Sequence, residues 1–203
     1  MTPDTIDRLS RRVYAGLRTG SPSAPDVVAL ACELIDQGYE GKAAREAMEE
    51  VPARMPAAEL SGLAARLLAE TGFDPGFDLA PERLEVLRHA LRLTARDLPL
   101  AGVLGPPRLV VLKDTFPPAA GVVLADGRRL NGGLQAPTGD DPTCAVAAMA
   151  RHVQEELMDR TREVWPVCTR HGLGAHAVVH EDSALWWCAQ GHSLAPIGRL
   201  PSQ

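Results

Sequence analysis

Apolar residues recur every three or four positions through the first half of the chain. Ile6, Leu9, Val13 and Leu17 trace one face of a first helix, with Thr2 as its candidate cap and Pro3 at its first position. Gly20 ends that run, and Ser-Pro-Ser-Ala-Pro over residues 21–25 reads as a loop. Ser23, with Asp26 three positions on, opens a second helix through Gln37 whose inner face carries Val27, Ala31, Leu34 and Ile35. Gly38 suits the left-handed position that closes a helix. A third helix is predicted at about 41–50. A fourth spans about 56–71, with Leu60, Leu63, Leu67 and Leu68, and a fifth begins at Pro81 with Leu84, Leu87 and Leu91. None is apolar all round, so residues 1–97 are expected to pack as a small helical bundle.

The period changes after residue 97. Leu98 to Pro107 is a Pro/Gly-rich connector, and Arg108-Leu-Val-Val-Leu112 is a β-type run. Residues 121–125 and 128–131 flank Asp126-Gly127, a dipeptide that predicts a type I′ hairpin turn. Asp141 and Pro142 then start a long helix striped by Val146, Met149, Ala150, Val153 and Leu157, with Val164 continuing the stripe toward the C-terminal segment. Residues 98–163 therefore read as a short antiparallel sheet covered by one long helix.

The distinctive chemistry lies in residues 164–203. Cys168 and His171 are separated by two residues and followed by Gly172 and Gly174; sixteen residues lie between His171 and the second pair, Cys188 and His192, which has Gly191 between its members. Such pairs let two ligands converge on one ion while glycine turns the backbone beneath it, so Cys168, His171, Cys188 and His192 are the candidate ligands of one zinc ion, Zn2+. The segment between the pairs reads as a hairpin of 177–180 and 184–188, and 193–197 as a third strand that Pro196 marks as an edge. His176 and His180, inside that hairpin, compete for ligand roles. The alternative is that Cys168 and Cys188 form a disulfide or are unrelated core thiols. Trp186 and Trp187 are adjacent in a strand and so point to opposite faces, leaving one available to a partner.

This segment resembles a zinc ribbon, with the four residues where a ribbon carries its ligands. It departs from the all-cysteine form by having histidine second in each pair and a three-residue gap in the second. The Val-Trp-Pro-Val-Cys-x-x-His-Gly join and the Trp-Trp-Cys…His…Ala-Pro-Ile-Gly ending also resemble uncharacterised bacterial proteins, a likeness that carries no activity with it.

Composition narrows the classes further. The apolar fraction of 45% and charged fraction of 23% suit a folded domain, and a net charge of −5 offers no general attraction for nucleic acid or anionic membrane. The N-terminus carries early acids and no apolar leader, and no run is long enough to span a bilayer, so a cytoplasmic location is expected. There, thiols stay reduced and spaced Cys/His pairs favour metal over disulfide. Cys32 and Cys144, alone in helical contexts, are expected to be buried, inert thiols.

Other constellations have plainer explanations. Asp74 and Asp78 lack the ligand spacing of a calcium loop and read as turn and cap residues, as does Asp140. Residues 27–50 have a helix-turn-helix outline, but the second helix is net acidic, which opposes phosphate contact. His89 and His152 have no partner that sequence identifies, and no nucleotide-binding or hydrolase motif is present.

The expectation is an α+β protein with a helical domain at 1–97, a sheet and long helix at 98–163, and a zinc-ribbon-like module at 164–203. Four protein ligands would close the metal's shell, so the zinc is expected to be structural, and the protein to be non-enzymatic, acting through contact with another protein or self-association. The alternatives are a zinc-dependent hydrolase that leaves one position open, or a nucleic-acid-binding regulator using Arg170 and Arg199.

Overall fold

A computed structural model describes residues 3–50, 52–98 and 106–201. The described residues form six α-helices and two antiparallel sheets, the α+β class expected. The chain divides into two compact units, Met1–Pro75 and Gly76–Gln203. No described helix is long and apolar enough to cross a membrane.

The first unit holds α1 (Pro3–Arg18), α2 (Ala24–Asp36), α3 (Lys42–Glu49) and α4 (Ala57–Thr71). Their apolar stripes meet in one core that includes Val13, Val27, Leu30, Leu34, Leu63 and Leu67. Local signals set the ends of α2. The Ser23 hydroxyl accepts from the Asp26 N–H at 3.4 Å. At the other end, Tyr39 N–H donates to Leu34 C=O and Gly38 N–H to Ile35 C=O, with Gly38 at φ +82°, a Schellman closure. Ile35, placed by the pattern on the buried face, is exposed, and Leu30 is fully buried. The start of α3 is capped from a distance: the Glu70 carboxylate of α4 accepts from Ala43 N–H at 2.7 Å and Ala44 N–H at 3.2 Å. A Cβ on Gly41 would run into that carboxylate. The Thr2 cap lies outside the described residues.

The second unit contains α5 (Pro81–Asp97), β1 (Arg108–Leu112), β2 (Ala119–Val123), α6 (Pro142–Thr161), β3 (Val167–Cys168), β4 (Leu173–His180), β5 (Ser183–Cys188) and β6 (His192–Pro196). Periodicity places α5 with the front bundle, whereas its contacts group it with this unit. The reason is that a stripe identifies a buried face without identifying what covers it: Leu87, Ala90 and Leu91 share a core with Met149, Val153 and Trp186. Trp165, Ala175, Ala177 and Ile197 belong to the same core, so the C-terminal strands are packed into the body of the unit.

β1 and β2 pair antiparallel, and β3-β4-β5-β6 form a four-stranded meander. The turn at 126–127 differs from the expected type I′. Only Gly127 has positive φ, Gly127 N–H bonds to Leu124 C=O, and Leu124 N–H to Arg128 C=O, the pattern of a three-residue loop with a bulge at glycine. A two-residue loop with both φ positive occurs instead at Glu181-Asp182, between β4 and β5. β6 is an edge strand ending on exposed Pro196, as expected.

The long helix α6 starts where Asp141 predicts, its carboxylate accepting from Cys144 N–H at 2.7 Å. It ends at Arg162 in the left-handed region, so Val164 leaves the stripe and is exposed. The two isolated cysteines also differ from expectation. Cys144 is exposed because the first turn of α6 faces solvent on that side, and Cys32 is half-buried with its thiol 3.4 Å from the Met48 sulfur.

Candidate metal centre

The sheet's register builds the site. Cys168 lies opposite Leu173 across the β3–β4 turn, and Cys188 opposite His192 across the β5–β6 turn. Pairing of β4 with β5 sets Ala175 opposite Cys188, which brings both turns to the same end of the sheet. In the first turn Cys168 C=O accepts from the N–H groups of His171 (3.2 Å) and Gly172 (2.8 Å), and Gly172 has φ +64°. In the second, Cys188 C=O accepts from Gly191 N–H at 2.9 Å, with Gly191 at φ +83°. Both glycines occupy backbone that other residues adopt at a cost, which is why each pair carries one.

Cys168, His171, Cys188 and His192 converge so that one ligand atom from each lies within 4.8 Å of the others, the only such group among the described residues. Cys168 Sγ is 3.7 Å from His171 Nδ1 and 3.6 Å from His192 Nε2, and Cys188 Sγ is 3.5 Å from His171 Nδ1. Metal–sulfur and metal–nitrogen bonds of about 2.3 and 2.05 Å at a tetrahedral angle separate sulfur from nitrogen by about 3.6 Å. The donor set and its spacing therefore fit one tetrahedral ion. All four cysteines of the chain are free thiols.

Burial is asymmetric. Cys168 and Cys188 are buried, His192 is half-buried and His171 is exposed, so the sulfurs face the protein and the imidazoles face solvent. Burial pushes the Cys168 thiol up, but the backbone N–H groups of His171 and Arg170, the Cys188 thiol and the Arg170 charge outweigh it and hold the group below the ordinary thiol range. Thiolate is the form that binds metal. His176 and His180 do not join the cluster: both sit on the outer face of β4, His176 opposite Trp187 and the His180 ring 4.6 Å from the Trp187 ring. Asp74, Asp78, Asp140, His89 and His152 form no such group either.

Two residues behind the centre carry no sequence motif. Gln154 of α6 is buried, and its amide donates to Trp165 C=O at 2.7 Å and Ala175 C=O at 2.6 Å, joining the helix to the chain on either side of the first Cys/His pair. Asp97, at the end of α5, accepts from the Trp186 indole N–H (2.8 Å) and from the N–H groups of Gly198 (2.6 Å) and Leu200 (2.9 Å). Trp165 and Trp186 meet edge to face at 5.1 Å. A glutamine next to Val153 on an apolar stripe was the available signal for the first; Asp97 had none. Trp186 and Trp187 do point to opposite faces: Trp186 is fully buried, and Trp187 is half-buried on the outer face beside Val178 and Leu185.

Comparison with known protein families, with curated proteins and with solved structures finds no match.

Proposed function

We propose that the chain is a zinc protein whose Cys168, His171, Cys188 and His192 hold one ion in a closed, structural site, and that it acts without catalysis, through contact with another protein or with itself. The observation that carries this reading is the convergence of two thiols and two imidazoles at sulfur–nitrogen distances suited to tetrahedral zinc. Two soft sulfurs with two imidazoles favour zinc over hard cations such as calcium or magnesium. Bound there, the ion would supply a cross-link between the two turns, while Gln154 and Asp97 tie the strands behind them to α6 and α5. Four protein ligands leave no position for a reacting water, which supports a structural role over a hydrolytic one.

Protein purified without chelator is expected to contain about one zinc per chain, the stoichiometry of a four-ligand site. Cys188→Ser should lower zinc content and thermal stability together. Wild-type protein that is folded but metal-free, or a Cys188→Ser variant that keeps full zinc occupancy, would overturn the reading.

A further inference from the structure

The two-stranded sheet has an edge with no strand partner among the described residues. Ala120 exchanges both backbone hydrogen bonds with Leu134, and Val122 C=O accepts from Leu130 N–H, so the polar groups of Ala120 and Val122 point away from β1. Their partners across the ladder are Val111 and Leu109. In an antiparallel pair such residues point their N–H and C=O groups outward together. The two donors and two acceptors of Leu109 and Val111 therefore face away from β2 and have no backbone partner among the described residues.

The β6 edge of the four-stranded sheet is interrupted where this one is not. β6 ends in Pro196, and its partner β5 is bulged at Trp186/Trp187. β1 reads Arg-Leu-Val-Val-Leu, with no proline, no bulge and no charge inside it. Its charges stand at the ends: Arg108 and Lys113 are exposed and make no ion pair among the described residues, while Asp114 is paired with Arg129.

We propose that the outer edge of β1 docks an extended peptide segment with an apolar centre and an acidic residue at each end, which joins the sheet as a third strand. This deepens the protein-contact reading above and rests on it. The four outward backbone groups supply the hydrogen bonds, and Arg108 and Lys113 supply charge complementarity at the two ends. A second copy of this chain fits less well. The two-fold pairing that sets Leu109 opposite Val111 is centred on Val110; it sets Arg108 of one copy opposite Leu112 of the other and Lys113 opposite Pro107, so neither cation gains an acid directly across from it.

The test uses the full-length chain and a synthetic probe, acetyl-Glu-Val-Thr-Val-Thr-Glu-amide, with a Lys-flanked version as control. Saturating Glu-flanked peptide should slow amide exchange at Leu109 and Val111 by at least about tenfold and bind more tightly than the control. Val111→Pro removes an outward N–H without touching the β1–β2 ladder, so it should stay folded and weaken binding by at least about tenfold. Should that variant fail to fold, the double charge reversal Arg108→Glu with Lys113→Glu serves in its place and should reverse the preference between the two peptides. Absence of exchange protection, or equal binding by folded Val111→Pro, overturns the proposal. Self-association that Val111→Pro abolishes overturns the choice of occupant. Self-association that it leaves intact overturns this edge while sparing the protein-contact reading, and zinc content measured on the same samples tests the metal reading separately.

Discussion

Single buried polar residues decide how firmly the metal site is mounted. Gln154 satisfies two backbone carbonyls that would otherwise be enclosed without a donor. Gln154→Leu keeps the volume close but strands both, so it should cost about 2–4 kcal/mol in urea unfolding at fixed zinc. His152 is the opposite case. Its Nε2 is buried without a partner among the described residues, and burial, opposed by the Glu156 and Glu155 charges, holds the imidazole below its ordinary value of about 6.5. Below that pH the unfolded chain takes up a proton that folded His152 resists, so stability falls as pH drops from there toward the folded value. His152→Leu should raise stability by about 1 kcal/mol at neutral pH and flatten the profile in that window, measured by denaturant titration across pH. Equal slopes for both proteins would contradict this.

At the scale of elements, what sequence shows depends on whether the cause is local. The cap and closing glycine of α2, the Asp141 start of α6 and the glycine in each Cys/His turn all act within a few residues and were legible. The four candidate ligands were legible for the same reason: each pair is one turn, and only the pairing of β4 with β5 had to bring the turns together. Non-local causes were hidden. Glu70 caps α3 from another helix, and Asp97 holds a segment about a hundred residues away in sequence. The Asp126-Gly127 turn was misread because the dipeptide fits two loop lengths, and the hydrogen bonds of Leu124 select the longer. The leucines of α5 mark its buried face without specifying the neighbours, since they would fit either core; they pack with Met149, Val153 and Trp186.

At the scale of the whole molecule, two cores divide the consequences of metal loss. The two Cys/His turns sit in a sheet that shares its core with α5 and α6, while α1 to α4 are built around another. Removing zinc with a chelator should therefore lower amide-exchange protection over residues 165–197 and in α6, and leave α1 to α4 unchanged. Uniform loss of protection along the chain would contradict two separate cores. X-ray absorption at the zinc edge, on protein purified without chelator, reads the ligand shell of the proposed zinc site itself. A four-coordinate shell of two sulfurs at about 2.3 Å and two nitrogens at about 2.0–2.1 Å is expected. A shell in which an oxygen replaces one of them, or a folded protein with no metal to measure, would contradict it.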